Sequence, residues 1–522
     1  MSYREHNPPA PRLMGYDPFF DLPMDHLARL VEAVVEESIE VREQASGSGQ
    51  PAFDPRLCAK VLVYGYATGV RSSRQLAKFC DESLPYLFLT RGDTPSYRTL
   101  CSVRVEQSDL LGRVWVGLFC VAQGCGMRRL GRIVVDSTKL RANASSESVL
   151  KQDEYAAMRS ALKAILAEAA ATDKREDSEG YAGETRTGKN VEKLLMRDII
   201  RKVRRDLSIH SKEQENAPQV TERKEQWIMT TRMMERAQEA LKSIEDAEAE
   251  GLKHLSLTDP DARMMLGGVE KNVRECHSFE VGIDRDCGLL VAGDVTQIGP
   301  DQNRLTPLVE SAKKNEPCGV KAVDGDSGYY RSADVAALIN SGVDVCIPDP
   351  YTASELHRGL EIGSISSRRC TVSFQYDSGR DYYVCPEGNT LTFRGFRKMR
   401  GDEVKVYQAS RGCRLCPRYS ECISSKHAKT KYKAVIIRDE CEELAAARDR
   451  FNDPEHRQRY QDRGSEVETV FGFVRGALGY ARWLLRGSER VKCEGSLIRL
   501  GYQMRKVHQQ WAVSQRPVAQ AA

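Results

Sequence analysis

The sequence lacks most of the signatures that reveal the chemistry of a chain this long. No apolar run approaches the roughly 18–20 residues of a membrane span, and mean hydropathy is −0.50. The first residues, MSYREHNPPAPRLMGYDPFF, have no apolar middle of the kind that makes a signal peptide. A cytoplasmic protein is expected. Histidine is sparse, nine in all, with no H-x-H and no H-E-x-x-H, which weighs against His-metal nickases and zincin-type proteases. The P-loop word G-x-x-x-x-G-K-[ST] and the nucleophile word G-x-S-x-G are both absent, which weighs against nucleotide hydrolysis on a P-loop and against an α/β-hydrolase.

At 522 residues the chain is long enough for three or four modules, taking about 100–200 residues for each. With 41% apolar residues it can bury a real core. Net charge is only +4, yet it is unevenly spread. Residues 391–438 carry thirteen Lys/Arg against three Asp/Glu, residues 472–508 eight against two, and residues 56–104 eight against three. Any one stretch is ordinary solvated surface. Three of them point to a polyanionic partner.

Residues 1–52 read as a Pro-rich arm followed by a helix, DHLARLVEAVVEESIEV, and a Gly/Ser linker. Residues 53–128 read as short helices joined by short turns, with Arg71 and Arg74 as an exposed pair. That pattern suits a helix-turn-helix DNA-binding unit or a plain helical bundle. At RIVVDS the period changes to that of a strand. A helical insertion follows over 145–255, where Trp227, Met234, Leu241 and Ile244 form a packing stripe. Residues 129–144 and 256–354 read as a hairpin, a strand and β-α-β units, hence a mixed sheet with helices packed on it. Residues 355–438 break the pattern as a basic, loop-rich, Cys-rich insertion. Residues 439–510 are helical again, and 511–522 form a flexible tail.

Asp136 ends the first apolar strand and Asp326 a later one. Open α/β sheets bind ligands at the carboxyl ends of their strands, so the two acids are placed to meet. Glu468 lies on a helix in the last segment. Three such carboxylates suit two divalent cations about 4 Å apart, the arrangement that activates a nucleophile and steadies the leaving oxygen in phosphoryl displacement. Hard oxygen donors favour Mg²⁺, with Mn²⁺ as a substitute, over zinc.

The words around these acids resemble the DDE transposases of bacterial insertion sequences, and among them the eleven-eighty-two family. DHLARLVEAVVE and FDPRLCAKVLVYGYATGVRSSRQLAKFC resemble its N-terminal and DNA-binding words. VVDSTKLRA, with Asp136 and Lys139, resembles the segment of its first Asp. DPDARMM and VAGDVTQIGPDQNRLTPLVE resemble the stretch before its second acid, and DGDSGYY selects Asp326 over Asp324. RYQDRGSEVETVFGFVRGALGY resembles the helix of its Glu and selects Glu468 over Glu466. Tyr460, Arg463 and Glu468 match that helix's motif, and Arg475 stands where Lys is usual. Arg keeps the charge but changes the geometry.

The resemblance implies an RNase H-like catalytic core and a metal-dependent reaction at terminal inverted repeats. In that reaction water frees a 3′-hydroxyl, which then attacks target DNA. Asp136, Asp326 and Glu468 would be the catalytic metal ligands, and Arg71, Arg74, Lys139, Tyr460, Arg463 and Arg475 would contact double-stranded DNA. It also implies a homodimer and a bacterial, nucleoid-associated location. Two other functions remain open at this point: a metal-dependent nuclease that cuts without joining, and a DNA-binding regulator with an inactive core.

Cys385, Cys413, Cys416 and Cys422 are spaced C-x27-C-x2-C-x5-C. Four soft sulfurs, two of them in a C-x2-C turn, suit tetrahedral Zn²⁺. An iron–sulfur cluster and the absence of any metal are the rivals, and Cys370 is a spare ligand. The other eleven of the sixteen cysteines read as inert thiols.

Overall fold

The computed structural model describes residues 21–40, 53–106, 108–179, 196, 198–205, 231–267, 272–357, 374–377, 379–399, 402–423, 431–438 and 442–515. Trp227 and Cys370 lie outside them.

The N-terminal helices are Leu27–Ser38, Pro55–Ala67, Ser73–Glu82, Leu84–Thr90, Tyr97–Glu106 and Ser108–Gly124. Their ends follow local chemistry. Asp54 caps the second, accepting from the Arg56 amide at 2.8 Å, and Pro55 fills the first turn, where no amide is needed. Ser72 caps the third.

The central sheet begins with β1 (Arg132–Arg141), and β2 (Val149–Lys151) and β3 (His254–Ser256) pair with each other at the base of the insertion. Then come β4 (Arg263–Gly267), β5 (Asn272–Asp284), β6 (Leu290–Thr296), β7 (Ala322–Asp324) and β8 (Asp344–Cys346). The sheet runs β5-β1-β7-β8; β4 and β6 both pair with β5. β5 is antiparallel to β1, whereas β1, β7 and β8 are parallel. β-Branched and aromatic residues at Ile133, Val134, Val135, Phe279, Val281 and Ile283 are all buried, as a sheet covered on both faces requires.

One hydrophobic core joins the N-terminal helices, the sheet and the C-terminal helix Ser488–Gln515, with Leu30, Leu62, Val134, Val291, Val467 and Leu497 all in it. The Tyr480 hydroxyl donates to the Tyr66 carbonyl at 2.6 Å. The buried Gln503 pairs with Leu290 in both directions, through 2.8 and 3.2 Å bonds, and so satisfies backbone groups of β6. The insertion has its own core, in which Ala237, Ala240, Ile244 and Ala247 of the helix Thr231–Glu250 face Tyr155, Met158 and Leu162 of the helix Tyr155–Glu179. Met234 and Leu241, expected in a packing stripe, are half-buried on that helix.

Two expectations need correcting. Asp136 does not end its strand: β1 continues to Arg141 because β5 pairs with it along the whole length. The Cys-rich stretch is not loop-rich either. It forms β9 (Gln375–Asp377), β10 (Tyr382–Val384), β11 (Thr390–Met399), β12 (Asp402–Ala409) and β13 (Ala434–Arg438), a five-stranded antiparallel sheet in spatial order β13-β12-β11-β10-β9. Its small core contains Phe374, Tyr383, Leu391, Tyr407, Ala409 and Val435. No described helix is long and apolar enough to cross a membrane.

Candidate active site

The register of the parallel strands brings the first two acids together. Val134 of β1 lies beside Asp324, the last residue of β7. Two residues further along each chain are Asp136 and Asp326, close enough for the charge of Asp326 to act on Asp136. β7 has ended there, so Asp136 lies at the carboxyl edge of the parallel part even though β1 itself runs on. Asp326 turns back on the chain, where its Oδ1 accepts from the Gly328 amide at 2.7 Å. A Cβ on Gly328 would come within 2.8 Å of that oxygen and 3.5 Å of Asp301 Oδ2, so glycine keeps the turn open and the three acids near one another.

Burial pushes the Asp136 carboxyl up to about 6. The Ser137 amide, donating at 2.7 Å, opposes this, as does Arg463, while Asp326 and Asp301 add to it. Asp301 accepts from Ser137 Oγ at 2.6 Å and from Lys139 Nζ at 2.8 Å. Lys139 also donates to Ser278 Oγ at 2.8 Å. Lys139 is thus an ammonium held against the acidic site.

The helix Pro454–Gly472 covers this face of the sheet. It starts sharply because Asp453 caps the His456 amide and Pro454 occupies the first turn. Its side chains follow the strands. Arg459 pairs with Asp324 and Asp344, and Arg285 links Asp324 to Glu466. One turn on, Arg463 lies by Asp136 and stacks its guanidinium on Tyr460, 5.0 Å from the ring centroid. The helix passes into a π-helical turn, Phe473–Ala477, and from it Arg475 donates to Thr138 Oγ1. Single π turns of this kind recur at functional sites. Among the described residues, Arg463 Nε and Arg475 Nε are buried without a hydrogen-bond acceptor.

The acids selected from the sequence are therefore placed differently from their neighbours. Asp324 is fully buried and ion-paired, and Glu466 is ion-paired to Arg285. Asp326 lies with Asp136, and Glu468 is exposed on the covering helix. Among the described residues no set of three or more His, Cys, Asp or Glu side chains is gathered as a metal cage, so Glu468 does not stand with the two aspartates.

Of the other residues singled out, Tyr460, Arg463, Lys139 and Arg475 converge on the site. Arg74 is exposed, with its guanidinium 5.1 Å from the Tyr97 ring centroid. Arg71 is not half of an exposed pair. It is bound to the buried Glu494 at 3.1 Å and to the Arg482 carbonyl at 2.6 Å. Asp301, Arg285 and Arg459 were missed. Of these only Asp301 left a signal, as the acid of the P-D-Q-N turn after β6.

In the Cys-rich sheet, Asn389 bridges two of the four cysteines. Its amide donates to Cys385 Sγ at 3.3 Å and its side chain reaches Cys413 Sγ at 3.9 Å. The Lys433 amide also donates to Cys413 Sγ, at 3.4 Å. Cys422 packs against the same small core, and the Cys416 amide donates to the Cys413 carbonyl at 3.0 Å.

Two family models match the chain: a transposase domain (DUF772) over residues 19–106 and a transposase DDE domain over residues 384–508. The second match includes Glu468, Arg475 and all four cysteines of the basic segment. Together they support a transposase of the insertion-sequence kind, an enzyme whose class implies DNA as substrate and a divalent metal. No curated protein matches the chain.

Proposed function

We propose that the chain is a DDE transposase that binds the terminal inverted repeats of an insertion sequence, cuts DNA phosphodiesters there and joins the freed end to target DNA. The observation that carries this reading is the pairing of Asp136 with Asp326 at the edge of the parallel strands, beneath a helix inside the matched DDE domain. The sheet order β6-β5-β1-β7-β8, with only β5 reversed among these five, supports an RNase H-like core.

The two aspartates fit a divalent cation. They are hard oxygen donors, and a cation offsets both the burial and the repulsion by Asp326 that raise Asp136. Asp136 and Asp326 would hold Mg²⁺, with Glu468 joining them once the covering helix brings it in, and the ion would supply activation of the attacking oxygen and charge relief at the phosphate. The chain's own part is positioning. Arg463 and Arg475, both near Asp136, each keep one guanidinium N–H without an acceptor, and a DNA phosphate is the acceptor such donors suit. Tyr460 holds the Arg463 plane. Lys139 keeps Asp301 neutralised, so that its charge does not add fully to that of Asp136. Arg74 contributes a phosphate contact from the N-terminal helices, whereas the role of Arg71 is structural.

The four cysteines suit zinc by donor type, though among the described residues they are not gathered as a cage. A homodimer acting on paired DNA ends completes the reading.

The test is cleavage and joining on a labelled duplex carrying the element's end, with Mg²⁺, comparing wild type with Asp326→Asn. The variant should lose about a thousandfold in cleavage while still binding DNA. Equal cleavage by both would remove Asp326 from the site. Cutting without joining would make the protein a nuclease, and binding without cutting in any metal would make it a regulator.

A further inference from the structure

One face of the Cys-rich sheet carries a continuous file of aromatic rings. Register places Tyr376 beside Tyr383, Tyr383 beside Leu391, Phe393 beside Tyr407, and Phe396 beside Lys405, all on one side. Ring centroids follow at 4.7 Å from Tyr376 to Tyr383, 4.9 Å to Tyr407, 5.6 Å to Phe393 and 5.3 Å to Phe396. The middle is buried and the ends are not: Tyr376 is 48% exposed, Phe393 39% and Phe396 56%.

Among the described residues the ends of this face stay exposed, and its geometry is built. Phe393 and Phe396 are three apart, so in a regular strand they would point to opposite faces. A bulge between Phe393 and Gly395 inserts one residue and returns Phe396 to the side of Phe393. Gly395 has φ of 140°, a conformation that other residues rarely adopt. At the other end, the hydroxyls of Tyr376 and Tyr407 both donate to Asp381 Oδ1, at 2.8 and 2.6 Å, which fixes their rings. Rings held in this way lose little freedom on binding.

Charge decides the occupant. Residues 391–438 carry thirteen Lys/Arg against three Asp/Glu, so a second copy would bring like charge to like. Lys405 lies on the aromatic face, and Arg394 at the bulge is exposed. Exposed flat rings in a basic setting suit nucleobases, whose faces stack while the backbone meets the cations. A base within a duplex has no free face, so the ligand is an unpaired one.

We propose that Phe393 and Phe396 form a stacking platform for an unpaired base of the bound DNA. The proposal rests on the reading of DNA as substrate and goes beyond it, because it assigns to this segment a preference for distorted or single-stranded DNA.

The test is fluorescence anisotropy with two labelled duplexes, one fully paired and one with a single unpaired 2-aminopurine. The proteins compared are wild type, Phe393→Ala/Phe396→Ala and Phe396→Trp. Wild type and Phe396→Trp should bind the unpaired duplex about tenfold more tightly than the paired one and quench the 2-aminopurine. The double alanine variant should lose both effects and keep its affinity for the paired duplex. Phe396 is more than half exposed, so little core is lost, and hydrogen exchange in β12 checks the fold. Equal binding of the two duplexes by wild type overturns the platform and leaves the DNA reading standing. A base preference that survives in the double variant, with a shift from dimer to monomer in sedimentation, gives the face to a second copy instead. Failure to bind either duplex overturns both readings.

Discussion

Strand β1 has one carboxylate pair beside its first residues and another where its parallel pairing with β7 stops, and the two pairs are built for different purposes. At the amino end Asp284 lies beside Ile133 and Glu316 faces it. Asp284 is fully buried, and its oxygens accept the backbone amides of Leu130, Asp286 and Cys287 at 3.0–3.1 Å. Burial, with Asp284 beside it, pushes Glu316 up to about 7. Beyond the end of β7, midway along β1, Asp136 and Asp326 form the second pair, with Lys139, Arg463 and Arg475 around them. The sealed pair satisfies backbone and keeps a proton on one acid. The other pair is ringed by cations with donors to spare. A pair of carboxylates is thus not itself a site; what faces the pair makes it one.

The comparison breaks most decisively if an acid outside the open pair proves to be catalytic. Asp324 is two residues from Asp326 but belongs to the framework, because it joins Arg285 and Arg459 and so ties the covering helix to β7. Asp324→Ala should destabilise the protein by about 3 kcal/mol, since it leaves two guanidinium groups without their shared partner. Asp326→Asn should leave stability nearly unchanged. Urea unfolding of both variants checks this. A stable Asp324→Ala protein that had lost cleavage would place Asp324, not Asp326, in the site.

The sealed pair offers the next test. Glu316 has a raised folded-state value, so its contribution to stability is fully present below about pH 4.5 and is lost as pH rises through about 7. Glu316→Gln should therefore be more stable than wild type at pH 8, by about 1 to 2 kcal/mol, and the gain should vanish near pH 4. Cleavage at pH 8 should be unchanged. Thermal unfolding across that range decides it, and a gain independent of pH would mean that Glu316 is not protonated in the fold.

How much of this was legible in the sequence depended on the range of each signal. Asp136 and Asp326 could be read because strand ends collect ligands and because short words around them carry meaning. The choice of Asp326 over Asp324 and of Glu468 over Glu466 rested on those words alone; Asp324 and Glu466 are held in ion pairs, and among the described residues Glu468 is not gathered with the two aspartates. Arg71 was misread as exposed because its partner, Glu494, is 423 residues away. The Cys-rich sheet was missed because the bulge at Gly395 breaks the alternation of β11 and because its outer positions carry so much charge. Asp136 was placed at a strand end because nothing local shows that β5 pairs with β1 as far as Arg141.

The smallest expected effect concerns the cations of the open pair. Arg475 stands beside Asp136 and donates to Thr138. Arg475→Lys keeps the positive charge near Asp136 and removes one planar donor. A neutral hydrogen bond contributes about 1 kcal/mol, so cleavage should fall less than tenfold. Arg475→Met removes the charge as well, and with it an attraction that favours ionised Asp136. The rise of activity through about pH 6 should then move to higher pH in the Met variant and stay in place in the Lys variant. Equal pH profiles in all three proteins would show that Arg475 acts on Thr138 alone, and that the cations around the open pair serve DNA rather than the acids.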